Sequence, residues 1–273
     1  MPRVEVAEQP GVGVDGAARP SEDVVVVLPH AVLVLDGATT LRPDLRSGGW
    51  YAAELAGRIA GRLTAAPQQD LADLLAASIR ALARETGLAP GRAPSSTVAI
   101  LRWDDRKVDA LVLGDTPVIT FGPNGPEVLA DDRLATLPRR GGYRDRLSAG
   151  GGYDAEHVAA LRSSAETMDS LRNQDGGFWV AEADPDAAYE ARRATWPLAG
   201  LRAVLMATDG VACGVDDYRI FSDWTAVLDL AMSRGAPAVL DLVRDAERSD
   251  PRGTRWPRPK PHDDQALVLL DFS

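Results

Sequence analysis

Apolar and polar positions follow two rhythms along the chain. Runs at 24–27 (VVVV) and 31–35 (AVLVL) flank LPH and predict a strand hairpin. Over 48–66 the rhythm becomes helical, with Ala52, Leu55, Ala56, Ile59, Ala60 and Leu63 on one face. A second helix is expected over 70–86, with Asp70 as N-cap and Gly87 as stop; its inward stripe is Leu71, Leu74, Leu75, Ser78 and Leu82. Strand character returns at 95–103, 107–115 and 117–121. The DDR turn at 104–106 and the short links between these runs predict an antiparallel meander.

The middle of the chain, 130–177, opens rich in Arg and Gly and is expected to be a mobile loop or flap containing a helix near 157–174. Residues 178–183 and 201–210 read as strands, and 222–235 and 236–249 as consecutive helices with Ser222 capping the first. A proline-rich basic loop, 250–262, precedes a closing strand at 265–272. The first 20 residues read as loosely ordered, with VEV at 4–6 as the alternative start of an edge strand. No repeat and no second-domain boundary interrupts this pattern, so a single layered α+β domain over 1–273 is expected.

Composition changes this picture little. The formal net charge is −10, from 40 acidic against 30 basic residues, which disfavours non-specific binding to nucleic acid or an anionic membrane. A lone cysteine, Cys213, rules out an intrachain disulfide framework and thiolate zinc clusters, and reads as a small apolar residue. No secretory leader and no apolar stretch of about 18 residues is evident, so a cytoplasmic protein is expected.

Chemistry enters at the strand ends. Asp36 closes AVLVLD, Asp115 closes ALVLGD, Asp209 follows AVLMAT, and Asp263 and Asp264 precede QALVLL. Each alone reads as a turn former. If those strands are neighbours, their carboxylates gather at one edge of the core, where they raise each other's pKa unless a cation neutralises them. Oxygen-only ligands suit Mg²⁺, Mn²⁺ or Ca²⁺, and neither an HExxH motif nor a Cys/His cluster supports zinc.

In order and context, SED (21–23), VLDG (34–37), SSTVAILRWDDRKVDALVLGD (95–115), VLMATDG (204–210) and HDDQALVLL (262–270) resemble the PP2C-type (PPM) metal-dependent protein serine/threonine phosphatases of bacterial type. The resemblance implies a four-layer α-β-β-α sandwich of two antiparallel sheets with a flap insertion. It also implies two Mn²⁺ or Mg²⁺ ions, with a third, weaker site. By position, Asp36 bridges the metals and Gly37 offers its carbonyl. Asp209 and Asp263 ligate the first metal, Glu22 serves the second and Asp115 the third. Hydrolysis of a phosphorylated protein would then run through a metal-activated water, with no covalent enzyme intermediate.

The chain departs from that pattern at several points. Thr39-Thr40 replaces a Gly-Gly, Thr116-Pro117 a Ser-Arg, and Ala266 a Thr; Ala38 stands where eukaryotic members carry a histidine. The arginine that would hold substrate phosphate falls nearest to Arg19, one residue out of register with the bacterial pattern. Arg139, Arg140, Arg144 and Arg146 are alternatives that read first as exposed basic residues. His262 reads as a solvated loop histidine, and Trp50, Trp196, Trp224 and Trp256 as packing or interface residues. A catalytically weak pseudophosphatase acting as a regulatory module, and a hydrolase of small phosphate esters, are the competing readings.

Overall fold

The computed structural model describes residues 1–137 and 142–273. Among these, one sheet has the strands β1 (Arg3–Gln9), β6 (Val118–Gly122), β7 (Gly125–Leu129), β9 (Ala203–Ala207) and β10 (Gln265–Asp271), in the order β1-β10-β9-β6-β7. The other contains β2 (Asp23–Leu28), β3 (Ala31–Asp36), β4 (Val98–Trp103), β5 (Lys107–Leu113) and β8 (Arg192–Pro197), in the order β2-β3-β4-β5-β8. Every pairing is antiparallel.

The central strands read as continuous apolar runs because both of their faces are buried. In β3, Val32 and Val34 face the other sheet and meet Val204, Met206, Val268 and Leu270 in the inter-sheet core. Leu33 and Leu35 face outward, under α1 (Gly48–Ala65) and α2 (Leu71–Thr86). On the opposite sheet Leu205, Leu267 and Leu269 pack under α6 (Asp209–Asp216), α7 (Trp224–Arg234) and α8 (Ala236–Ser249). The result is the α-β-β-α order of layers, with a core between each adjacent pair. No helix among the described residues is long and apolar enough to cross a membrane.

The hairpin, both early helices and the closing strand lie where the sequence pattern puts them; Asp70 accepts from the N–H groups of Ala72 and Asp73, and Gly87 takes φ 72°. Four expectations need correction, the first being the cap of α7, which is Asp223 accepting from the Ala226 N–H and not Ser222. The meander breaks after its second strand, because Gly114 at φ 87° turns the chain out of one sheet and β6 joins the other. The N-terminal segment is not loose, since β1 pairs along its whole length with β10. Residues 178–183 form no strand and touch the sheet only through the Ser96–Ala181 bridge.

The expected flap region holds α3 (Arg133–Thr136), α4 (Tyr143–Ser148) and, close to the helix expected near 157–174, α5 (Ala155–Asp169). Asp154 caps α5 through the N–H groups of Glu156 and His157. His157 is fully buried, and its Nε2 lies 2.8 Å from the Pro259 carbonyl oxygen. The flap is thereby docked on the 250–262 loop. Arg139 and Arg140 lie outside the described residues.

Candidate active site

Antiparallel register gathers the strand-end acids. Asp23 opens β2 directly opposite Asp36, which closes β3. The Gly37 N–H donates to the Glu22 carbonyl at 3.1 Å, and Thr97 N–H to the Asp36 carbonyl at 2.9 Å. On the facing sheet, Thr208 N–H donates to the Ala266 carbonyl at 3.0 Å, which sets Asp209 beside the start of β10 and hence beside Asp263 and Asp264. One hydroxyl stitches the two sheets together: Thr208 Oγ1 donates to Asp23 Oδ2 at 2.8 Å and accepts from the Ala266 N–H at 2.9 Å.

Two glycines are dictated by contact distance. A Cβ at Gly37 would lie 2.3 Å from the Gly48 carbonyl carbon, where the first turn of α1 crosses the Asp-Gly bend. A Cβ at Gly210 would lie 1.9 Å from the Asp264 carbonyl oxygen.

Asp36, Gly37, Asp115, Asp209 and Asp263 line one cleft of about 340 Å³. Four of the five sequence-predicted acids thus come together. Loss of hydration pushes Asp36 well above the usual carboxylate range, and the charges of Asp23, Asp209, Asp263 and Asp115 push it further. Asp209, which lines the same cleft, is raised by the same desolvation and then by Asp263, Asp115 and Asp23. Asp23 was not singled out from the sequence. Burial and the neighbouring Asp263 and Asp264 push it up to about 8, against the opposing hydrogen bond from Thr208. Its Oδ1 is buried without a partner.

The outer acids are engaged differently. Glu22 Oε2 accepts from Thr39 Oγ1 at 2.8 Å and forms an ion pair with Arg19 Nη2 at 2.8 Å, and Arg19 Nη2 donates to Asp264 Oδ2 at 3.2 Å. Asp263 Oδ1 lies 2.5 Å from Lys260 Nζ, an ammonium 5% exposed. Among the described residues, no three His, Cys, Asp or Glu side chains stand as a completed metal-ligand set. Asp263 is turned to Lys260 and Glu22 to Arg19. The inner group does suit a hard divalent cation. It is all oxygen, and its negative charges crowd one another.

The remaining candidates sit outside the cluster. His262 Nδ1 lies 3.1 Å from Oε2 of the fully buried Glu247, so this histidine is tied into the wall behind the acids and is not a free loop residue. Burial, then the charges of Glu247 and Asp209, push the Cys213 thiol far up and leave it unreactive. Arg146 is held within the flap by Asp154 and the Gly152 carbonyl, whereas Arg144 lines the outer cleft beside Asp209 and Asp115. Trp224 is buried under α8, Trp256 stacks on Tyr218 at 5.1 Å, Trp50 lies under Arg46, and Trp196 donates to Glu127 between β8 and β7.

No protein-family model and no curated protein sequence matches the chain. Solved structures do. A bacterial serine phosphatase is similar with a TM-score of 0.59 at 11% identity, covering 100% of this chain and 98% of that one. The PPM Ser-Thr phosphatase MsPP from Mycobacterium smegmatis gives a TM-score of 0.58 at 15% identity, covering 99% and 98%. The catalytic domain of the serine threonine protein phosphatase PstP, solved with two manganese ions, gives 0.54 at 12%, covering 99% and 97%. The fold is that of the PP2C-type (PPM) phosphatases over essentially the whole chain.

Proposed function

We propose that this chain is a metal-dependent protein serine/threonine phosphatase. One observation carries the reading: Asp36, Asp115, Asp209 and Asp263 converge from four separate strand ends into a single cleft, on a fold shared with Ser/Thr phosphatases. Keeping such acids together is costly unless their charge is offset. Two divalent cations, Mn²⁺ or Mg²⁺, would offset it, with Asp36 as the bridging ligand, the Gly37 carbonyl beside it, Asp209 and Asp263 on the first, Glu22 on the second, and Asp115 at a weaker third site. When bound, such ions supply an acidified water and neutralise phosphoryl oxygens.

The chain's own groups do the rest. Asp36 is pinned by its backbone, its N–H donating to Thr97 Oγ1 at 3.0 Å and its carbonyl accepting from the Thr97 N–H at 2.9 Å, so its carboxylate is presented at a fixed place. Asp23 does not reach the cleft wall; it anchors Thr208 and, through it, the strand end that carries Asp209. Arg19, held between Glu22, Thr39 and Asp264, is the candidate grip on substrate phosphate. The phosphorylated partner would be a protein whose phosphoserine or phosphothreonine enters from the flap side.

A second reading has its own observation. The ion pairs Lys260–Asp263 and Arg19–Glu22 occupy two of the proposed metal ligands, as expected of a pseudophosphatase that retains the fold as a regulatory module. Hydrolysis of p-nitrophenyl phosphate and of a phosphothreonine peptide, each with Mn²⁺ and with chelator, separates the readings. Chelator-sensitive turnover of both supports the phosphatase. Turnover of the small ester alone supports a small-ester hydrolase, and background rates throughout support the module.

A further inference from the structure

Lysine occurs only at positions 107 and 260 in this otherwise arginine-rich chain. Lys107 is a half-exposed partner of Asp109 on a strand surface. Lys260 is almost completely buried and points into the acid cluster. Its Nζ stands 2.5 Å from Asp263 Oδ1, 3.6 Å from Asp264 Oδ2 and 3.2 Å from Thr39 Oγ1.

Its position is built, not incidental. The backbone on either side is clamped by Arg258, which donates to the carbonyl oxygens of Glu247, Asp250, Trp256 and Pro261 at 2.8–3.0 Å and pairs with Asp250 at 3.2 Å. The Pro259 carbonyl lies against His157 of the flap, and Arg244 donates to the Asp263 carbonyl at 2.7 Å. A loop held this way delivers one ammonium group to one carboxylate. An exposed lysine pair would gain little from such a scaffold.

Taking the phosphatase reading as its basis, we propose that Lys260 is a tethered counter-cation of the site, which sits on Asp263 and competes with a divalent ion for that carboxylate. Loading a metal at Asp263 then requires the Lys260 side chain to leave Asp263, while its clamped backbone stays in place. Thr39 and Asp264 are the groups already within its reach. The same contact accounts for Thr39 at a position where the resembled family has glycine: its hydroxyl lies 3.2 Å from Lys260 Nζ, 3.0 Å from Arg19 Nη2 and 2.8 Å from Glu22 Oε2, so it joins the two basic groups to the acids.

The test uses the full-length protein. Calorimetric titration with Mn²⁺ should show binding to Lys260→Gln tighter than to wild type by about tenfold or more, because a like charge has been removed from a cation site. Equal or weaker binding overturns the competition and leaves the metal reading intact. Should neither protein bind Mn²⁺ or Mg²⁺, the metal reading itself falls and this inference falls with it.

Selective ¹³Cε-lysine labelling gives a measurement on the wild type that does not depend on the variant folding. It yields one signal from Lys107 and one from Lys260. Saturation with Mg²⁺ should shift the Lys260 signal and leave that of Lys107 in place. A Lys260 signal that stays fixed at saturation overturns the proposal.

Discussion

Asp23 and Asp36 face each other across the antiparallel pairing of β2 and β3, in a register position where like charges destabilise a sheet. Burial pushes both carboxyls up, Asp23 to about 8. A carboxyl raised in the folded state contributes stability that is fully present below its unfolded value and is lost as pH climbs through the folded value. For Asp23 that window runs from about pH 4 to about pH 8. The chelator-treated protein should therefore melt at progressively lower temperature across this range. Asp23→Asn should flatten the slope, and Mn²⁺ should restore the melting temperature at the alkaline end. Thermal melts at half-unit pH steps check this; a slope unchanged by the substitution contradicts it.

Close contact makes Gly37 and Gly210 irreplaceable. With a Cβ 2.3 Å from backbone at the first and 1.9 Å at the second, Gly37→Ala and Gly210→Ala should each cost more than about 3 kcal/mol. Gly57 is the control. It sits exposed within α1 with nothing near its missing Cβ, and Gly57→Ala should stabilise by about 0.5–1 kcal/mol. Urea midpoints at constant m-value read all three.

Arg258 is the clamp of the 250–262 loop. Removing it takes the paired cation from the buried Asp250 carboxylate, which keeps its bonds from Thr254, Arg255 and Trp256, and a donor from several carbonyl oxygens, so Arg258→Ala should cost about 2–4 kcal/mol. The loss should be local first. Hydrogen exchange at residues 259–263 should accelerate well before that of β9 and β10 does; uniform acceleration across the sheet contradicts the clamp.

Much of this architecture was legible in the sequence, for identifiable reasons. Strands buried on both faces leave unbroken apolar runs, and an acid that ends such a run stands out, which is why Asp36, Asp115, Asp209 and Asp263 could be read. Asp23 carries the mirror image of that signal, an acid before VVVV, and the adjacent Glu22 makes it less distinctive. The edge strands β7 and β8 are short and largely exposed, so they have no apolar run to betray them. The crossing of β6 to the other sheet follows a turn at Gly114, whose φ of 87° leaves no apolar or polar signature. Lys260 was hidden by its context, a proline-rich basic loop whose composition suggests solvent. Only the fold shows that the loop closes over the acids.

The central claim, that the gathered carboxylates support metal-dependent phosphate hydrolysis, is tested most directly by one comparison. The rate of phosphate release from a phosphothreonine peptide is measured in Mn²⁺ for wild type and Asp209→Asn, both confirmed folded by circular dichroism. A chelator-sensitive wild-type rate that falls by about a hundredfold or more in the variant is the predicted result. Equal rates for the two proteins, or a wild-type rate indifferent to chelator, would contradict it.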